Sequence, residues 1–130
     1  MIDFRLNPHS GTPPYLQVIQ QVKHAMRMGI LRPGDQLPTA KSVVSQLAIN
    51  VNTVLKAYRD LEHEGLVEGR PGVGTFVLRV PPGPSPETQA VLRTSLEAWL
   101  ATALRAGMDA ESIEGLLRSS LETVLAEEVA

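Results

Sequence analysis

The stretch from Leu37 to Val67, LPTAKSVVSQLAINVNTVLKAYRDLEHEGLV, followed at once by EGRPGVGTFV, leaves few folds open. Thr39 stands where an N-cap belongs, ahead of a helix whose Val43, Val44 and Leu47 face inward. Asn50 caps the next helix, with Ile49 and Val54 placed as a hydrophobic staple, and Val54, Ala57, Tyr58 and Leu61 fall on one face. Gly65 sits where a left-handed C-cap is needed. Leu66 to Glu68 and Thr75 to Val80 then alternate as strands, with Phe76, Leu78 and Val80 on one face. Between them Arg70-Pro71-Gly72-Val73-Gly74 supplies the positive φ angles of a tight hairpin. Two helices at a tight turn and a glycine-tipped hairpin make a winged helix-turn-helix. The expected class is mainly α with a small β-hairpin.

The rest of the chain divides around this unit. Upstream, Thr12 is the expected cap of a first helix with Pro13 at its first position. Tyr15, Val18, Ile19, Val22, Ala25 and Met26 form its buried stripe, and Gly29 ends it. Downstream, Pro81-Pro82-Gly83-Pro84-Ser85-Pro86 can continue neither strand nor helix and reads as a stiff linker. Residues 1–80 are therefore expected to form one domain, 81–86 the linker and 87–130 a two-helix tail. In the tail, Pro86 opens a helix carrying Leu92, Leu96, Trp99, Ala103 and Leu104, which Gly107 closes. Asp109 caps a last helix with a stripe of Leu116, Leu117, Leu121, Val124 and Leu125. Such a helical hairpin cannot bury both stripes by itself, so a partner surface is required. The simplest is its own copy in a two-fold homodimer.

Composition narrows the functional class. An apolar content of 43% suffices for a core, and the absence of cysteine excludes disulfides and thiolate metal sites. With no apolar leader at the N-terminus and no long apolar run, the expectation is a cytoplasmic protein without membrane contact. The net charge of −2 conceals an asymmetry. Residues 1–80 hold nine Lys/Arg against six Asp/Glu, whereas 81–130 hold three against eight. A cationic half joined to an acidic one fits a nucleic-acid reader with an appended partner module.

A helix-turn-helix lays the first turn of its second helix against base edges and phosphates in the DNA major groove. Here that turn is Asn50-Val51-Asn52-Thr53, with Lys56 and Arg59 further along the outward face. Asn52 can pair with an adenine edge, and Thr53 can hydrogen-bond a base or touch a thymine methyl. Asn50 serves as a cap, a base reader or both. Lys41, on the preceding helix, can reach a phosphate or a guanine. Lys56 and Arg70 at the wing can meet phosphates or stay solvated, and Arg59 can instead pair with Glu62 at i+3. His9, His24 and His63 are scattered, so no metal site is expected. No nucleophile–base arrangement and no phosphate-cradling loop is present, so neither an enzyme nor a cofactor is expected.

PGDQLP, NTVLKAYRDLEHEGLV and GVGTFV occur in that order and at the spacing of the GntR family of bacterial transcription regulators, which this chain resembles from about Pro13 to Val77. Its brief helical C-terminal part looks like the YtrA subfamily, in which the tail serves dimerisation. The resemblance implies DNA contacts at Lys41, Asn50, Asn52, Thr53 and the wing residues Arg70, Gly72 and Gly74. Three positions depart from the family's habit: Lys41 stands in place of Arg, Val51 in place of Arg or Pro, and Val73 in place of a basic wing tip. The implied function is a homodimeric repressor on an inverted-repeat operator. The alternative is a winged helix used for protein–protein contact. A small-molecule effector is compatible with either, and nothing in the residues identifies one.

Overall fold

The computed structural model describes residues 2–129; Met1 and Ala130, at the outer ends of the two expected domains, lie outside the described residues. Along them run α1 (Pro14–Arg27), α2 (Ala40–Leu47), α3 (Val51–His63), β1 (Val67–Arg70), β2 (Gly74–Val77), α4 (Pro86–Arg105) and α5 (Ala110–Val129). The chain separates into two compact units, one up to Gln89 and one from Ala90 onward. The first turn of α4 thus belongs with the first unit.

In the first unit α3 is the hub, packing against α1, α2 and β1. Val18, Val22, Val54, Ala57 and Leu61 are fully enclosed at the α1–α3 contact, and Val43 closes it from α2. Tyr15, expected in the buried stripe, is only half-buried. The N-terminal segment, for which sequence periodicity gives no element, adds Ile2 and Phe4 to this core. Three glutamines hold its backbone there. Gln46 Oε1 accepts from the Phe4 N–H at 3.2 Å, Gln21 Oε1 from Arg5 at 2.9 Å and Gln17 Oε1 from Asn7 at 2.8 Å. A segment outside any helix or sheet needs such side-chain partners for its peptide groups.

The start of α1 differs from expectation. Pro13 takes the cap position and Pro14 opens the helix, with no side-chain cap. Proline at the cap has no side-chain acceptor, and the Leu16 and Gln17 N–H groups donate to Pro13 O, each at 3.1 Å. The carbonyl of Thr12 instead accepts from Gln17 Nε2 at 2.9 Å.

The hairpin pairs Val67 with Val77, Glu68 with Phe76, Gly69 with Thr75 and Arg70 with Gly74. Val67 and Val77 turn to the core, so the face carrying Phe76, Leu78 and Val80 is the outer one, with Leu78 and Val80 exposed. Because GTFVLRV is apolar on both parities at its centre, alternation leaves the choice of inner face undetermined. The loop before α2 supplies a short third edge. Gly34 N–H donates to Val77 O and Leu37 N–H to Thr75 O, while Val77 N–H donates to Asp35 O, each at 2.8 Å.

The second unit is simpler. Asp109 Oδ1 accepts from the Ser112 N–H at 2.8 Å, capping α5, and this bond holds the Asp109 carboxyl below its ordinary pKa. Gly107, at φ 99°, makes the turn between the helices. Among the described residues of this unit only Ala103 and Ile113, beside that turn, are buried. The expected hairpin is open: Leu92, Leu96, Trp99, Leu116, Leu117, Leu121, Val124 and Leu125 all remain exposed. Among the described residues no helix is long and apolar enough to cross a membrane.

Candidate nucleic-acid interface

In the first unit α3 packs against both α2 and β1. Thr39 Oγ1 accepts from the Ser42 N–H at 3.1 Å and starts α2. Ala48 ends it in the left-handed region (φ 54°, ψ 39°), a conformation that costs a residue with a Cβ about 1 kcal/mol. That reversal leads straight to Asn50, whose Oδ1 accepts from the Asn52 N–H at 2.7 Å and caps α3. On the inner side Tyr58 is fixed by donating its hydroxyl to Pro38 O at 2.6 Å, and burial pushes its phenol pKa well above the ordinary value. α3 is thus set by a cap at one end and a buried hydrogen bond in its middle.

Facing outward on α3 are Val51, Asn52, Leu55, Lys56, Arg59 and Glu62, all exposed, with Thr53 half-buried. Neither α2 nor α3 carries an acidic residue in its first turn. The positive end of each helix dipole therefore stays uncompensated, which favours an anion such as a phosphate there. Lys41 lies exposed in the first turn of α2.

Two of the expected cations have intramolecular partners. Lys56 Nζ stands 4.0 Å from the ring centroid of Tyr15, so it leans toward α1. The Arg70 guanidinium lies 4.3 Å over the Phe76 ring, and its Nε is 3.3 Å from Glu68 Oε2. The alternative pairing of Arg59 does not form. Glu62 Oε2 accepts from the Gly69 N–H at 2.8 Å, and no ion pair among the described residues joins it to Arg59. At the wing tip Gly72 (φ 74°) has open space around it, so within the chain itself only its backbone conformation favours glycine. At Gly74 (φ 144°) the backbone also favours glycine, and a Cβ there would displace the flexible end of the Gln36 side chain. Gln36 Nε2 in turn donates to Val73 O at 3.2 Å. Sequence reasoning singled out neither Gln36 nor Glu62 as wing supports, because both act across loops on backbone groups. Among the described residues no cluster of His, Asp and Glu could hold a metal.

Residues 14–77, which run from the start of α1 to the end of β2, match the family described as bacterial regulatory proteins, gntR family. The HTH-type transcriptional regulator Rv1152 of Mycobacterium tuberculosis is 35% identical over 104 residues, covering 80% of this chain and 82% of the relative. The chain belongs to the gntR family. Within it, the HTH-type transcriptional repressor YtrA of Bacillus subtilis is 44% identical over 73 residues, 56% of each chain. The chain thus spans just over half the length of that relative. The solved YtrA from Sulfolobus acidocaldarius, a GntR-family transcription factor, has a TM-score of 0.53 at 26% identity over 93% of this chain and 98% of its own. The AraR DNA-binding domain in complex with operator ORX1 has a TM-score of 0.52 at 30% identity, over 57% of this chain and 92% of that one. These gntR relatives are named as regulators, not as enzymes. The family match encloses Lys41, Asn50, Asn52, Thr53, Lys56, Arg70, Gly72 and Gly74.

Proposed function

We propose that this chain is a sequence-specific, DNA-binding transcription repressor that acts as a homodimer on an inverted-repeat operator. The observation that carries the reading is the first turn of α3. It is capped by Asn50, free of acidic residues and exposed at Asn52, in a unit similar to a domain solved on its operator. Asn52 and Thr53 read base edges, and Lys41, Lys56 and Arg70 neutralise phosphates. Lys56 over Tyr15 and Arg70 over Phe76 are held as oriented charges, so their side chains lose less freedom when they meet a phosphate. Gly72 and Gly74 serve by letting the wing backbone approach DNA closely. Residues 1–80 are the DNA-binding part, 81–86 the spacer and 87–130 the pairing part. The unburied stripes of α4 and α5 support that last assignment.

Selection of bound fragments from sheared genomic DNA tests the whole reading. It should yield an inverted repeat, with half-sites set by the spacing of two recognition helices. Asn52→Ala should then cost about 1–3 kcal/mol on that operator and relax preference at particular positions, while Lys56→Ala weakens all sequences alike. With roughly six phosphates neutralised by the dimer, affinity should fall about 10^3-fold between roughly 50 and 200 mM salt. Recovery of no enriched motif, with binding indifferent to salt, would leave the fold serving protein contact instead.

A further inference from the structure

Val51 and Leu55 are large aliphatic side chains on the outward face of α3, 45% and 43% exposed. Neither packs into the core, although Leu55 lines the shallow groove between α3 and the hairpin. The core face of α3 is already filled by Val54, Ala57, Tyr58 and Leu61, all buried. A β-branched residue at the first helical position adds nothing to helix propensity. The other exposed aliphatics of this unit lie outside helices. Ile30 follows α1, Val73 tips the wing, and Leu78 and Val80 lead into the proline-rich segment. Val51 and Leu55 are one helical turn apart and flank Asn52, at the end of the helix that carries the proposed base contacts.

In the major groove only one base presents an apolar group, the C5-methyl of thymine. We infer that Val51 and Leu55 are specificity-determining residues that contact thymine methyl groups in the operator half-site. The inference rests on the DNA-binding reading of α3 and extends it to residues incapable of hydrogen bonding. Four residues of helix advance about 6 Å, close to two base steps of about 3.4 Å each. The two side chains therefore address thymines about two base pairs apart. Asn52 between them suits the adenine edge of an A·T pair. The half-site this surface fits is rich in A·T pairs around the first turn of α3, read by methyl packing as much as by hydrogen bonds.

Uracil differs from thymine only in lacking that methyl, so the full-length protein and its selected operator provide a direct test. Each thymine of a half-site is replaced singly by uracil, and Kd is measured by fluorescence anisotropy. One or two replacements should weaken binding about fourfold each, the value of one buried methyl group, and the rest should have no effect. Leu55→Ala should abolish the uracil penalty at one of these positions, and Val51→Ala at the other. Both residues are exposed, and melting curves establish that the variants remain folded. The uracil series on the unaltered protein stands without them. If the protein selects an operator and binds it specifically but no uracil replacement changes Kd, the inference is overturned. It is equally overturned if the penalties persist unchanged in both variants. Failure to select any operator would overturn the DNA-binding reading itself, and this inference with it.

Discussion

The two units of this chain solve the problem of apolar surface in opposite ways. In the first, three helices, a hairpin and the N-terminal segment close around one another until Val18, Val22, Val43, Val54 and Leu61 have essentially no contact with solvent. In the second, α5 and the part of α4 beyond Gln89 bury, among the described residues, only Ala103 and Ile113 and leave leucines exposed along their length. Helices gain most of their stability in globular proteins from packing an apolar face. The first unit therefore encodes a complete fold. The second leaves apolar side chains at helical spacing uncovered, and the proposed homodimer would cover them with a second copy of the same tail.

The largest expected effect comes from separating the two. Removal of residues 90–130 should leave the first unit folded, because its core draws on none of them, but should weaken operator binding by about 10^2–10^4-fold through loss of the linked second half-site. Sedimentation and anisotropy on the same sample check both parts, and a truncated chain that binds as well as the full one breaks the comparison. Next come paired leucine truncations. Leu61→Ala, at a fully enclosed site, should cost about 2–5 kcal/mol at any protein concentration. Leu121→Ala, 59% exposed within a single chain, should leave the first unit's melting unchanged. It should make the tail's melting temperature depend more steeply on concentration, as subunit linkage requires.

A smaller effect belongs to Tyr58. Tyr58→Phe removes the hydroxyl bonded to Pro38 O, for an expected loss of about 1 kcal/mol. It also changes the alkaline limb of stability. Burial raises the phenol pKa of the folded state above its unfolded value of about 10. The folded form thus holds its proton more tightly, and its stability is complete below pH about 10 and declines above it. Denaturant midpoints should fall less steeply above that pH in Tyr58→Phe than in the unaltered protein. Smallest is Ala48→Gly, which relieves a left-handed backbone at the turn between α2 and α3. It should raise stability by about 0.5–1 kcal/mol, measurable as an increase in denaturant midpoint at unchanged slope.

What the sequence disclosed follows the same division between local and distant interactions. Thr39, Asn50, Asp109 and Gly65 were legible because a cap or a left-handed C-terminus is decided within three or four residues. The core face of α3 was legible because its period repeats over three turns. The N-terminal segment was not, since glutamines on α1 and α2 hold it from 10, 16 and 42 residues away. The pairing of Gly34 and Leu37 with β2 was hidden for the same reason, as it spans some forty residues. At the candidate interface Lys41, Asn50, Asn52, Lys56 and Arg70 are exposed, as expected, while Thr53 is half-buried. The partners of Lys56 and Arg70 depended on where Tyr15 and Phe76 came to rest in three dimensions.

The wing is gripped from both sides: Glu62 of α3 takes the amide of Gly69 on one strand, and Gln36 reaches the carbonyl of Val73 at the tip. Small hairpins on protein surfaces usually flex, and whatever meets them must first still that motion. Two bonds made within the chain leave this hairpin less of that motion to lose when a partner meets it.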